Sequence, residues 1–423
     1  MLPGRPAAVT AALLVAVVAA ASGFAHYFRE SLHWIIELYG SSRSPVGAAR
    51  HLSWWVVFAI ATSAVAVAAA IGAAVERRWS GHVGVESVAA SARGDGRQIS
   101  AIATVLRTAA TWIISFSMVS IGRETAIIET GGAIGAVSAR RLRGRGDTMA
   151  AAGIAAAFAA AYHAPLAAIV YVEEHLQVRR SRRARWFVLV GAVAGHLVAA
   201  GLLGGHAIFP PIQGSRWTVL WLGIVGLVPA MLAGRLFLQL RVRVKASHVA
   251  ARSGLPLWLV AGLFCAVAGA AVAVFPMAAG NGMDALRAAS VQSTLAIALG
   301  LSVGKVIGTV AALGAGAPGG VLTPTISVSA GVALLTLLAL HGMGFGVTSM
   351  WDGIIAAMAV GLTVGMRSPI GAIALVPELV GDYGLIPAIA IIVGLAWLLD
   401  RLVDRLFDHV DERVGVDVHD EDA

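Results

Sequence analysis

Cysteine is almost missing from this 423-residue chain: Cys265 stands alone, which excludes an internal disulfide framework. Its neighbours Leu263, Phe264, Ala266 and Val267 mark it as a packing residue rather than a reactive thiol. Charge is scarce as well. Asp, Glu, Lys and Arg make up 13% of residues against 58% hydrophobic ones, and the mean hydropathy of +0.82 excludes a soluble multi-domain protein of this length. The chain has no His-Glu-x-x-His, no cysteine pair and no P-loop lysine, so zinc chemistry and ATP-driven transport lose support, and no metal or cofactor is expected. Period-two alternation is missing too, which argues against a β-barrel. A membrane-embedded enzyme would have to use Glu124 with His163 or His175 as acid and base, but no nucleophile motif accompanies them. A non-enzymatic role follows.

What the chain does have is long apolar runs, near 8–24, 54–75, 101–121, 148–172, 186–204, 217–240, 256–277, 294–313, 325–344, 349–376 and 384–399. They describe an all-α, polytopic, multi-pass membrane protein. A span needs about 20 residues, and Gly or Pro interrupts several runs, so short and tilted helices are expected among full spans. The first run reads as a transmembrane helix followed by an amphipathic Phe24–Tyr39; a cleaved signal peptide ending near 19–23 is the alternative. The net charge of +8 gathers in Arg140, Arg141, Arg143 and Arg145 and in Arg179, Arg180, Arg182, Arg183 and Arg185. The positive-inside rule puts both clusters on the cytoplasmic side. The 33 residues between them, 146–178, break at His163-Ala164-Pro165, so two half-length helices that enter and return satisfy the constraint. Orientation explains these arginines better than nucleic acid does.

Two breaks carry the chemistry. Gly314-Ala-Gly-Ala-Pro-Gly-Gly-Val-Leu-Thr-Pro324 places irregular, glycine-packed backbone where lipid is expected, which is tolerated where it lines a cavity or binds something. Gly122-Arg123-Glu124-Thr125-Ala126 aligns with Gly320–Pro324 at an offset of 198. Likewise His163–His175 aligns without a gap with Arg367–Leu379 at an offset of 204, matching Pro165 to Pro369 and Glu174 to Glu378. The chain therefore reads as two related halves, of undetermined relative orientation, with a midplane site at paired helix breaks. Helices starting at Glu124 and near Pro324 point their N–H groups and positive dipole ends at one place, an arrangement suited to an anion. Such a site binds without a full positive charge, so it also releases. Glu124 is then an intramembrane carboxylate that competes with the anion when charged and withdraws when protonated. A pair with adjacent Arg123 is the structural alternative, but successive helical residues point about 100° apart.

These segments resemble the CLC family of chloride channels and chloride/proton antiporters, from about residue 50 to 400. The family has Gly-Arg-Glu-Gly-Pro where this chain has Gly122–Ala126, Gly-Ser-Gly-Ala-Pro-Gly-Gly-Ile-Phe-Ala-Pro where it has Gly314–Pro324, and Asn-Ala-Pro-Leu-Ala-Gly where it has His163–Ala168. The resemblance implies a CLC-like inverted repeat with tilted and broken helices, a first half of about 50–205 and a second of about 215–400. It also implies a homodimer with one pore per subunit. Glu124 would be the gating glutamate, and the amides of Thr125, Ala126, Val321, Leu322 and Thr323 would line the anion sites. Tyr383 would close the central site from the cytoplasmic side. The implied function is chloride transport coupled to protons; an uncoupled channel, a fluoride/proton antiporter and a cation-coupled solute carrier are the alternatives. The last of these would need several intramembrane Asp or Asn residues.

The departures bear on ion and coupling. The family's serine motif falls on His82–Glu86, with Val83 at the serine position, unless a shifted register brings in Ser80 or Ser87. Alignment on Pro165 puts His175 where antiporters carry their relay glutamate, with Glu174 one step earlier. Histidine, titrating near about 6.5, can carry protons. The missing serine and Thr323-Pro324 resemble fluoride exporters, whereas Gly316–Gly320 and Val321, in place of a glutamate, resemble the chloride type. The transmembrane domain is expected over 1–400, in a cell inner membrane or plasma membrane, with residues 401–423 a short cytoplasmic tail whose acidic end, from Asp411, is disordered.

Overall fold

The computed structural model describes residues 5–94, 99–139, 146–177, 182–202, 204 and 207–414. The arginines at 140, 141, 143, 145, 179 and 180 lie outside them. Among the described residues the regular secondary structure is helical, apart from one isolated β-bridge. The first half comprises α1 (Arg5–Gly40), α2 (Pro45–His51), α3 (Trp54–Trp79), α4 (Gly84–Arg93), α5 (Ala101–Phe116), α6 (Glu124–Ser138), α7 (Gly146–Tyr162), α8 (Pro165–Val170) and α9 (Arg182–Leu202). The second comprises α10 (Arg216–Arg243), α11 (Ala246–Ser253), α12 (Leu257–Val274), α13 (Met283–Val291), α14 (Leu295–Leu299), α15 (Lys305–Gly314), α16 (Leu322–Gly342), α17 (Met350–Gly365), α18 (Pro369–Val380) and α19 (Ile386–Val414). Among the described residues, eight helical stretches are long and apolar enough to cross a membrane, and α5, α7, α17 and α18 are shorter apolar helices.

The run at 148–172 divides at 163–164 and the run at 349–376 divides at 366–368, as the prolines predict. Pro165 and Pro369 each open a helix, where a missing N–H costs no hydrogen bond. Two residues before each proline, His163 (φ 53°) and Arg367 (φ 52°) lie in the left-handed region that side chains rarely adopt. The repeat is therefore present in the backbone, at the same offset as in the sequence.

The core is built of small residues. Between Met149 and Ala161 nearly every alanine of α7 is buried, and Gly131, Gly135 and Gly153 bring α6 and α7 backbone to backbone. The N-terminal run is one continuous helix whose Val18, Ala21, Ala25, Phe28, Leu32 and Ile36 enter that core. Cys265 packs with Ala61, Ala64 and Ala268, as expected. At the far end α19 continues through Val414, so Asp411–Val414, expected to be disordered, are helical; 415–423 lie outside the described residues.

Candidate functional site

The two glycine breaks meet. Gly122 N–H donates to Gly320 O at 2.9 Å and Gly320 N–H to Gly122 O at 2.7 Å, an antiparallel bridge that ties the halves together. α6 starts two residues beyond one strand of the bridge, and α16 two residues beyond the other. Neither helix has a side-chain cap, so their leading N–H groups are left without intrahelical partners at a common point. Residues there must be small: a Cβ on Gly122 would lie 2.6 Å from Gly320 O and against the Glu124 carboxylate.

Glu124 crosses this junction, 2% exposed. Its Oε1 accepts from the Thr323 hydroxyl, while Oε2 has no hydrogen-bond partner. Arg123 does not pair with it among the described residues. Instead, Arg123 lines a cavity of about 30 Å³ with Arg29, His33, Tyr162, Asn281 and Arg287. Tyr162 and Tyr171 face Glu124 from α7 and from the π-turn that follows α8. On the other side, a cavity of about 20 Å³ is lined by Phe158, Tyr171, Leu322, Met366, Ser368 and Gly371, among others. Glu173, two residues beyond Tyr171, pairs with Arg185 of α9 at 3.6 Å.

Lys305, which the sequence reading passed over, is fully buried and donates to Ala278 O and Gly280 O at 2.7 Å each. Gly280 O also accepts from Ile121 N–H, so the ammonium braces the strand that leads into Gly122. A lone lysine in the apolar run 294–313 was the available signal, since charge at that depth is costly unless it has a task.

Glu174 and Glu378, matched by the repeat, act as a reciprocal pair. Glu378 accepts from Leu166 and Ala167 N–H at 2.9 Å each, capping α8. Glu174 accepts from Ser368 Oγ (2.7 Å), Ile370 N–H (3.2 Å) and Gly371 N–H (2.8 Å), capping α18. Each carboxylate lies at the C-terminal end of its own helical stretch and caps the start of the other, so the two helices run antiparallel and the halves are inverted. Glu378→Ala should orphan two amides of α8 and lower stability by about 1–3 kcal/mol, seen as a lower thermal midpoint of the purified protein.

Tyr383 does not take the place implied by the resemblance. It is half exposed, its hydroxyl donates to Glu378 Oε1 at 3.1 Å, and it lines neither cavity beside Glu124. Val83 packs with Val75 and Ala103, and Gly84 N–H behind it donates to Glu129, a carboxylate paired with Arg107. Ser87 does not substitute for a serine at 83, since its hydroxyl bonds Gly81 O and Val83 O.

The sequence model of the voltage-gated chloride channel family matches residues 64–401. The chain belongs to this family, the CLC proteins. It is 31% identical to a ClcB-like chloride channel protein of Ralstonia nicotianae over 75% of this chain and 76% of that one. It is 29% identical to the H(+)/Cl(-) exchange transporter ClcA of Vibrio campbellii, over 63% of this CLC chain and 59% of that transporter's length. Among solved structures, a slow cyanobacterial Cl⁻/H⁺ antiporter superposes with TM-score 0.74 at 19% identity, over 93% of this chain and 94% of that one. A CLC-type fluoride/proton antiporter superposes with TM-score 0.72 at 17% identity, over 93% and 95%. At those identities the likeness shows a shared CLC fold.

Proposed function

We propose that the protein carries chloride across the membrane past Glu124, exchanging it for protons, and that it works as a homodimer in an inner or plasma membrane. The observation that carries the reading is Glu124 itself: a buried carboxylate with one oxygen unpartnered, lying where two uncapped helix N-termini converge. A charged carboxylate there occupies the position an anion would take. When protonated it loses its claim on the positive helix ends, and the anion replaces it. The amides of Thr125, Ala126, Val321, Leu322 and Thr323 are assigned to the anion. Arg29, Arg123 and Arg287 raise the local anion concentration at the outer cavity.

Thr323 holds the gate closed through its hydroxyl. Thr323→Val should free Glu124 from about 1–3 kcal/mol of charge-assisted bonding and speed chloride efflux several-fold at neutral pH. Efflux from vesicles followed with a chloride electrode checks this.

Glu174, fixed by three donors of α18, serves as a cap, and the proton relay at this end is assigned to His175. The whole reading is tested in liposomes that hold the purified protein. A chloride gradient should drive protons uphill, with fluoride measured in parallel. Chloride flux without proton movement would leave a channel, and preference for fluoride would reassign the ion.

A further inference from the structure

Away from Glu124, a wide cleft opens where α3, α11 and α12 meet the end of α15. It holds about 870 Å³, far more than either cavity beside Glu124 and within the range of roughly 300–1,000 Å³ that suits an organic ligand. Its walls are small or apolar: Ala66, Ala70 and Ala73 of α3 on one side, Leu257, Ala261 and Gly262 of α12 on the other. The cleft ends on Gly314–Gly316, the start of the break that leads to the Gly320 bridge. An open apolar cleft of this size calls for an apolar occupant, and the charge around its mouth decides which.

That mouth is basic. Lys245, the residue before α11, lines it, and its ammonium pairs with no carboxylate among the described residues. Arg77 stands close by, because its Nε donates at 3.2 Å to the carbonyl of Ala73, a residue of the wall. Arg78, Arg243 and Arg252 occupy adjoining turns, and Glu76 is the sole acidic residue of 73–80 and 241–258. The positive-inside rule gives this rim to the cytoplasmic face. Ser247 also lines the cleft, and α11 has no side-chain cap, so its leading N–H groups lie open beside Lys245. Trp258, 76% exposed at the same mouth, is the kind of amphipathic ring that sits at the level of lipid headgroups.

We propose that this cleft binds a phospholipid with a net negative headgroup from the cytoplasmic leaflet. Lys245 and Arg77 hold the headgroup phosphate, and one acyl chain lies between α3 and α12 against Gly314–Gly316. The apolar walls account for the chain but would accept a neutral lipid equally well. Two cations without carboxylate partners at the open end select the anionic one.

Native mass spectrometry of the purified protein, titrated with phosphatidylglycerol and phosphatidylcholine of identical chains, tests this. Wild type should hold one phosphatidylglycerol per subunit on the order of tenfold more tightly than phosphatidylcholine, and Lys245→Gln should weaken it about fivefold while leaving phosphatidylcholine unchanged. A Cβ at Gly262 would meet nothing within 4 Å, so Gly262→Phe fills open space in the cleft and should remove that lipid from each subunit. Ala261→Leu fills the same wall and stands in if the phenylalanine variant does not fold. Equal affinity for the two lipids in wild type, or unchanged phosphatidylglycerol binding in Lys245→Gln, overturns the proposal. Binding that persists in both filling variants would place the headgroup on the surface with no chain in the cleft, and overturns it as well. So would a filling variant that separates subunits while retaining its lipid, since a second copy of the chain would then be the occupant.

Discussion

Glu124→Ala is expected to abolish proton movement driven by a chloride gradient while chloride efflux continues and loses its dependence on pH. The side chain is the only carboxylate at the junction of α6 and α16 among the described residues, so it is the group there that can take a proton in exchange for an anion. Its removal should not unfold the protein. One oxygen is bonded to Thr323 and the other is unpartnered, and burying such an oxygen costs free energy that alanine relieves. Simultaneous proton and chloride recordings on proteoliposomes test this directly. Residual coupled proton transport in the variant would falsify the gating role of Glu124.

Gly320→Ala should destabilise the protein by about 1–3 kcal/mol, and Glu124→Ala should restore most of the loss. A Cβ at 320 would run into Glu124 Oε2 and press on Thr125, whose Oγ1 lies at 3.1 Å and N at 3.2 Å. The chief obstacle is thus a side chain that can be removed. At Gly122 the added carbon also meets Gly320 O at 2.6 Å, which is backbone, so Gly122→Ala should not be rescued in the same way. Thermal midpoints of wild type, the three single variants and the two double variants form two cycles that share Glu124→Ala. Equal rescue at both glycines would show that the bridge does not hold Glu124 as described.

Much of the architecture was legible because its signals are local. Prolines at 165 and 369 open helices, glycines at 122 and 320 allow a close approach, and each lies in a segment that repeats. The repeat predicted that the halves correspond. Their inversion became visible only through the crossed caps, since orientation is a property of contacts 194 to 212 residues apart. The sequence reading holds where a motif fixes the backbone: the two aligned breaks meet, and Glu124 and Thr323 touch across them. It failed at Tyr383, a tyrosine near a matched segment but turned toward Glu378, because a sequence neighbour says little about the direction of a side chain beyond a helix end. Lys305 and Tyr171 were missed for a related reason. Each is an isolated polar group in an apolar run, and only the folded backbone shows what it faces.

The crossed caps also set an order of assembly. Leu166 and Ala167 find their partner 212 and 211 residues later in the chain. At a synthesis rate of about 5–20 residues per second, α8 waits on the order of tens of seconds, its leading amides unmatched, before Glu378 leaves the ribosome. Until then those amides depend on water or the insertion machinery for partners.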